Sequence, residues 1–202
     1  GGSEAWFPTG SDANNQTSGD TFLGGNGKFA DGVTNYYGTD SFSTIMHELG
    51  HALGLKHGHE ASPNGALASN LDDSEFSVMT YRSYFGGPIG STLVPAVDGS
   101  APQSYMMFDI GALQTYYGAN LSKVGTSATY SWNATTGQQL IDGANAADIG
   151  ATATNKIFSK IWTRGTPSWS TRSSTVGVEP LPTSCLAARA TTKWSARTAR
   201  TR

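Results

Sequence analysis

Residues 40–57, DSFSTIMHELGHALGLKH, combine an amphipathic helix, a helix stop and three histidines. The spacing of the apolar residues by three and four positions predicts a helix whose apolar stripe, centred near Leu49, faces the core. The stripe consists of Phe42, Ile45, Met46, Leu49, Ala52 and Leu53. We expect Asp40 or Ser41 as the N-cap. Gly54 should end the helix, because a residue without Cβ readily adopts positive φ.

The histidines of this stretch have the spacing of a catalytic zinc site. His47 and His51 lie four residues apart, so they stack one turn above the other, on a face nearly opposite the apolar stripe. After the stop, the chain can reverse and bring His57 to the same point. Three neutral imidazoles leave one position of tetrahedral zinc open for water. Glu48 would lie beside that water as general base, so we predict these histidines as ligands and Glu48 as catalytic.

The composition of the chain excludes several classes of protein. The chain has 202 residues, a net charge of −2 and a pI near 6.1, which fits one domain or a domain with a tail and shows no nucleic-acid footprint. No run of about 18 apolar residues is present, so we expect no membrane span. The single Cys185 excludes an internal disulfide framework. No secretory signal is visible at the N-terminus.

Flanking segments contain three weaker signals. Ala5, Trp6 and Phe7, stopped by Pro8, predict a brief strand near a sheet edge, which either pairs with an extended peptide or only covers the core. His59 is interpreted as a surface histidine, with a supporting role at the metal as the alternative. The acidic residues 72–75, DDSE, lack the glycine spacing of a calcium loop and are interpreted as a solvated turn.

The segment FSVMTY at residues 76–81 follows the third histidine at the distance expected of a methionine turn. A Val-Met pair alone is ordinary core filling. Beside the zinc motif, we predict that Met79 forms the hydrophobic floor under the metal. The phenol of Tyr81 is placed to reach either the metal or the oxyanion formed from a scissile carbonyl.

HELGHALGLKH (47–57) and SVMTYRSY (77–84) together resemble the serralysin branch of the metzincins, secreted zinc endopeptidases of bacteria. The resemblance implies that His47, His51 and His57 bind zinc and that Glu48 is the general base. It also implies that Tyr81 is an additional, displaceable zinc ligand.

The resemblance further implies an α+β fold, a metzincin-type zincin catalytic domain with the zinc helix, a small mixed sheet and a C-terminal helix. Residues 105–120, YMMFDIGALQTYYGAN, resemble the helix that closes this domain. Their apolar residues Met106, Ile110, Leu113 and Tyr117 have helical spacing, and Gly118 is a stop. Serralysins have a longer region before the zinc helix, so we interpret residues 1–158 as a partial catalytic domain in an internal fragment.

Residues 159–202 differ sharply in composition. From position 156 onward lie nine of the 13 Lys and Arg residues and one acid, Glu179. Serralysins bind Ca²⁺ through glycine and aspartate repeats in a β-roll at this point, and none of those repeats occurs here. We interpret 159–202 as a basic Ser/Thr/Arg-rich tail, either disordered or produced by a frameshift after Trp162. A basic arm for anionic surfaces is the rival interpretation.

The predicted function is zinc-dependent endopeptidase activity on extracellular proteins and peptides by a secreted monomer, with no nucleic-acid partner. The alternative is an inactive zinc-binding or structural module with an incomplete scaffold. Hydrolysis of other substrates by the same zinc centre is a third hypothesis.

Overall fold

The computed structural model describes residues 3–8, 18–25, 29, 37–62, 64–90, 100–122, 128–147, 149, 156 and 158–162. Its elements are strands β1 (Glu4–Ala5) and β2 (Thr21–Phe22), helices α1 (Asp40–Ala52) and α2 (Met107–Tyr117), and strands β3 (Tyr130–Trp132), β4 (Gln139–Ile141) and β5 (Ala144–Asn145). Two helices beside two small sheets are consistent with the predicted α+β class. The predicted tail is residues 159–202; of these, 163–202, with Cys185 and the proposed frameshift, lie outside the described residues.

Both sheets are antiparallel. β1 pairs with β2, with Glu4 opposite Phe22, and β3, β4 and β5 form a meander. Asp142 and Gly143 between β4 and β5 have φ of 52° and 81°, as a tight type I′ hairpin requires. Parallel pairs need a long crossover, whereas this connection is two residues long. The prediction of a mixed sheet is therefore wrong for the described strands.

The N-cap of helix α1 lies one residue before the first of its two predicted positions. The N-cap is Thr39, whose hydroxyl accepts a hydrogen bond from the Phe42 N–H at 3.3 Å, so the expectation of Asp40 or Ser41 is wrong. Asp40 instead lies in the first turn, where its charge favours the positive end of the helix dipole. At the other end, Gly54 has φ of 93°, which confirms the predicted stop.

The buried face of α1 differs from the predicted one. Leu49 and Leu53 are 45% and 37% exposed, while His47 is 2% exposed. Only Met46 from the apolar stripe is fully buried. The physical reason is close approach: Gly50 has no side chain, so the thioether of Met79 packs directly on the helix there. Packing against this turn, and not the apolar stripe, decides which face is covered.

Helix α2 closes the described core and contacts α1. Its predicted stop, Gly118, has φ of 80°. The hydroxyl of Tyr105 donates to the Met46 carbonyl at 2.9 Å, and that of Tyr117 donates to the Leu53 carbonyl at 3.0 Å. The central buried residues are Met46, Leu55, Val78, Met79 and Met106. The core therefore lies directly beside the histidine face of α1.

Neither described helix has the length and apolar character that a membrane crossing needs.

Candidate metal centre

The three predicted histidine ligands converge on one point. His47 and His51 come from successive turns of α1, and His57 comes from the segment after Gly54. Their Nε2 atoms are 3.1 Å apart between His47 and His51, 3.0 Å between His51 and His57, and 3.2 Å between His47 and His57. They are the group within the described residues that could hold a metal ion.

The opposite ring nitrogens are all held by oxygen acceptors. Nδ1 of His47 lies 2.8 Å from the Val78 carbonyl, and Nδ1 of His51 lies 2.8 Å from the Leu55 carbonyl. Nδ1 of His57 lies 3.1 Å from Glu60 Oε1. Carbonyl and carboxylate oxygens only accept, so each Nδ1 carries the proton and each Nε2 presents a lone pair.

Three converging lone pairs repel one another unless a cation lies among them. A triangle with these sides places its centre about 1.8 Å from each nitrogen, so the three residues would hold an ion at close to the Zn–N distance of about 2.0–2.1 Å. Tetrahedral zinc then keeps a fourth position free. The donor set and its tautomers therefore fit zinc.

Protonation of the site agrees with metal binding. Burial is the main cause that lowers the pKa of His51 below its ordinary value, and the nearby His57 lowers it further. The hydrogen bond to the Leu55 carbonyl opposes the shift. A neutral imidazole is the form that binds a metal.

Glu60 is a site residue that the sequence reasoning missed. One carboxylate oxygen faces the His57 ring, and the other accepts from the His57 N–H at 3.0 Å. Burial alone would raise the pKa of Glu60, but the hydrogen bonds and charge of His57 lower it overall. Its position three residues after a ligand, across a tight turn, is the signal that could have found it. Such a carboxylate orients a ligand ring and increases its basicity.

Glu48 and Tyr81 lie at the same centre. Glu48 is buried, at 6% exposure. The ring of Tyr81 lies 4.4 Å from the His57 ring and 5.8 Å from the His47 ring, centroid to centroid. Burial, followed by the charges of Glu48 and Glu60, raises the pKa of the Tyr81 phenol above its ordinary value. The structure thus places Tyr81 beside the histidines, with the buried Glu48 near enough for its charge to act on the phenol.

His59 is only half exposed and lies against the site. Its ring stacks on His57 at 5.4 Å with an angle of 14°, and it lies 5.2 Å from the ring of Tyr81. The stacking supports the alternative of a position beside the metal ligands, while the partial exposure of the side chain fits the interpretation as a surface histidine.

Met79 lies in the core under α1, at 2% exposure. A Cβ on Gly50 would overlap its sulfur, so the thioether fills the space between the turns that carry His47 and His51. This contact is the arrangement expected of a hydrophobic floor. The methionine turn is held by Asp109 of α2, which accepts from the Ser77 hydroxyl at 2.6 Å and from the Val78 N–H at 2.8 Å.

The acidic residues 72–75 are not a solvated turn. Asp72, Asp73 and Ser74 are buried, at 2%, 1% and 1% exposure. Asp72 accepts from the Thr80 hydroxyl and faces Arg82, so its charge is compensated inside the protein. The acidic composition alone suggested solvent exposure. The partners of Asp72, which are Thr80 and Arg82, lie 8 and 10 residues further along the chain, so no local pattern indicated them.

Known proteins are similar to parts of this chain. The family Peptidase M10, Matrixin, matches residues 3–75, which include the three histidines and Glu48. Metallopeptidase AprA of Pseudomonas marginalis is 28% identical over 171 residues, which are 71% of this chain and 32% of that protein. Serralysin of Proteus mirabilis is 32% identical over 143 residues, 68% of this chain and 26% of that protein. Serralysin C of Dickeya chrysanthemi is 36% identical over 99 residues, 46% of this chain and 19% of that protein.

The chain thus spans less than a third of the length of these relatives. Residues 3–75 thus match the matrixin family, and the chain is similar to part of the serralysins and of a related metallopeptidase.

Proposed function

We propose that the protein is a zinc-dependent endopeptidase in which His47, His51 and His57 hold the metal. The convergence of three Nε2 lone pairs at 3.0–3.2 Å, each fixed by an acceptor on Nδ1, carries this proposal. The matrixin match and the serralysin relatives support it.

Zinc, when bound, supplies a Lewis acid that polarises a carbonyl and lowers the pKa of water beside it. Glu48 takes a proton from the attacking water and later donates it to the leaving amine. Its buried carboxylate is held one residue from the first ligand, which supports this role. Tyr81 is proposed as a displaceable ligand; once displaced, it would be a neutral phenol, whose pKa burial raises, and would donate a hydrogen bond to the oxyanion.

The proposed substrate is an extended peptide lying beside β1. The ring of Phe7, directly after this strand, packs edge-on against the His51 ring at 5.5 Å. In the described part of the chain β1 has one strand partner, β2, so its other edge offers backbone groups to a peptide. By resemblance to the serralysins, we propose extracellular protein substrates and a secreted, monomeric enzyme. The family's use of calcium stays a prediction for this chain.

Metal analysis combined with cleavage of a fluorogenic peptide tests the proposal. We expect stoichiometric zinc and cleavage that disappears with a chelator. Glu48→Gln should keep zinc and lose activity by about 10²- to 10⁴-fold, the usual contribution of general acid–base catalysis. Glu75→Gln, a change to an exposed acid, is the matched control and should retain activity.

A folded, zinc-loaded protein without turnover would contradict the proposal and favour the inactive zinc-binding module. Chelator-sensitive hydrolysis of esters without cleavage of peptides would indicate the third hypothesis, a zinc hydrolase of another substrate class.

A further inference from the structure

The buried carboxylate of Asp72 holds the residues on both sides of Tyr81. Its Oδ1 accepts from the Thr80 hydroxyl at 2.8 Å, and its Oδ2 lies 3.3 Å from Arg82 Nε. Asp72 is 2% exposed, so both interactions form away from bulk water. Such charge-assisted hydrogen bonds are stronger than neutral ones and constrain geometry.

Arg82, on the far side of Tyr81, makes further hydrogen bonds that hold this turn. The Arg82 N–H donates to the Thr80 hydroxyl oxygen at 3.0 Å, and the Arg82 carbonyl accepts from the Ser74 N–H at 2.9 Å. The Arg82 guanidinium also donates to the Gly87 carbonyl. The backbone on either side of Tyr81 therefore has few alternative arrangements while Asp72 is in place.

The same carboxylate packs beside the third histidine. A Cβ on Gly58, the residue after His57, would overlap Oδ1 of Asp72. The Gly58 carbonyl accepts from the Leu67 N–H at 2.8 Å, so this backbone is fixed too. Asp72 is thus in contact with the neighbours of His57 and of Tyr81, whose rings lie 4.4 Å apart.

We propose that Asp72 is a positioning residue that sets the distance and angle of the Tyr81 phenol relative to the metal centre. The proposal rests on the proposed function, in which Tyr81 contacts the metal and the oxyanion. A carboxylate is needed because it can accept from the Thr80 hydroxyl and pair with the Arg82 charge at once, whereas an amide cannot compensate that charge.

The first test uses amide hydrogen exchange by NMR in the metal-free protein. In Asp72→Asn we expect exchange of the Arg82 and Ser74 amides to accelerate by roughly tenfold or more, because local opening of the turn becomes easier. The matched control is Asp73→Asn: Asp73 is equally buried, but its side chain accepts from the Glu75 N–H. Unchanged Arg82 and Ser74 exchange in Asp72→Asn would overturn the proposal.

The second test uses the copper(II)-loaded protein, in which a coordinated phenolate gives a visible charge-transfer band. We expect this band to be absent in Tyr81→Phe, strongly weakened in Asp72→Asn and intact in Asp73→Asn, all with stoichiometric copper. In the zinc form, kcat of Asp72→Asn should fall by about tenfold, which is ~1.4 kcal/mol of transition-state stabilisation, with KM nearly unchanged. A full band and full kcat in Asp72→Asn would overturn the proposal.

The two tests separate this inference from the proposed function. If the unsubstituted protein shows no phenolate band, the role of Tyr81 at the metal is wrong. The exchange measurement then still decides whether Asp72 holds the turn.

Discussion

The carboxylate of Glu60 controls the least constrained of the three histidines. His47 and His51 are fixed by helix α1, whereas His57 stands on a turn and depends on Glu60 for its ring orientation. Replacing Glu60 by Gln removes the charge that supports the His57 Nδ1–H. We expect zinc affinity to fall by about 10- to 100-fold, the usual effect of losing such an outer partner.

Competition with a chromogenic chelator measures this change in affinity. Glu75→Gln should leave affinity unchanged, since the Glu75 side chain is exposed. Equal affinities in Glu60→Gln and the unsubstituted protein would show that the turn alone fixes His57.

For single residues, the sequence predicted the histidines of the motif but not the groups that orient their rings. His47, His51 and His57 could be predicted because their spacing is set by helix geometry and one glycine stop. The acceptors that face the Nδ1 atoms of these histidines could not be predicted. The Val78 carbonyl lies 31 residues from His47 in sequence, and a backbone oxygen leaves no pattern in the side-chain sequence.

The contact between α1 and the methionine turn depends on Gly50. Ala in a helix interior is intrinsically favoured over Gly by about 1 kcal/mol. Here, however, the new Cβ would overlap the Met79 sulfur, and overpacking typically costs about 1–3 kcal/mol. We therefore expect Gly50→Ala to destabilise the protein by about 1 kcal/mol in urea unfolding.

The sign of this effect should reverse when the sulfur is removed. In a Met79→Val background, Gly50→Ala should stabilise by up to about 1 kcal/mol, because only the helix preference remains. Additive effects of the two substitutions would contradict a direct contact between Gly50 and Met79.

Asp109 links α2 to the same turn and makes its stability depend on pH. Burial raises the pKa of Asp109 to about 6, against hydrogen bonds from Ser77, Val78 and Met106 that lower it. Because the pKa is higher in the folded state, the folded chain binds a proton more readily than the unfolded chain between pH ~4 and ~6. The contribution of this group to stability is therefore greatest at low pH and decreases through that window, by on the order of 3 kcal/mol.

Asp109→Asn isolates this contribution, because histidines and other carboxylates titrate alike in both proteins. We expect the stability of the unsubstituted protein relative to Asp109→Asn to decrease from pH 4 to pH 7, measured by urea unfolding of the metal-free chains. A relative stability that rises with pH over this range would contradict the assignment.

The orientation of α1 shows where element-scale prediction fails. Its length and stop followed from local rules, and both were correct within a residue. The buried face of α1 did not follow from local rules, since Leu49 and Leu53 are exposed and the histidine face is covered. Periodicity reports which face is apolar, whereas the covered face here is set by Gly50, Met79 and the acceptors of the imidazoles, all of which are tertiary contacts.

At the scale of the whole molecule, the metal centre and the core form one unit. Met46, Val78, Met79 and Met106 bring α1, the methionine turn and the start of α2 into one cluster directly beside the imidazoles. The sheet of β3, β4 and β5 is built on its own pairings and tight turns. The Tyr37 hydroxyl donates to Gln139 Oε1 of β4 at 3.5 Å, and the Tyr37 ring packs on Phe42 of α1, so the sheet is joined to the helix through this side chain. The sequence could indicate the metal centre through its motifs, but the attachment of the sheet arises only in three dimensions.

Because the residues of β3, β4 and β5 are not part of the core cluster beside the imidazoles, we predict a non-uniform response to zinc. A ligand suppresses only those opening reactions that disrupt its site, and at 100 times Kd it contributes about 2.7 kcal/mol to them. We expect hydrogen exchange measured by mass spectrometry to slow on zinc addition in α1, residues 55–60 and residues 76–82. Exchange in β3, β4 and β5 should stay unchanged. His57→Ala should reduce the zinc-dependent protection of α1, residues 55–60 and residues 76–82. Equal protection of the β3–β5 sheet would show that the chain opens as a single cooperative unit, so that the metal stabilises the described fold globally.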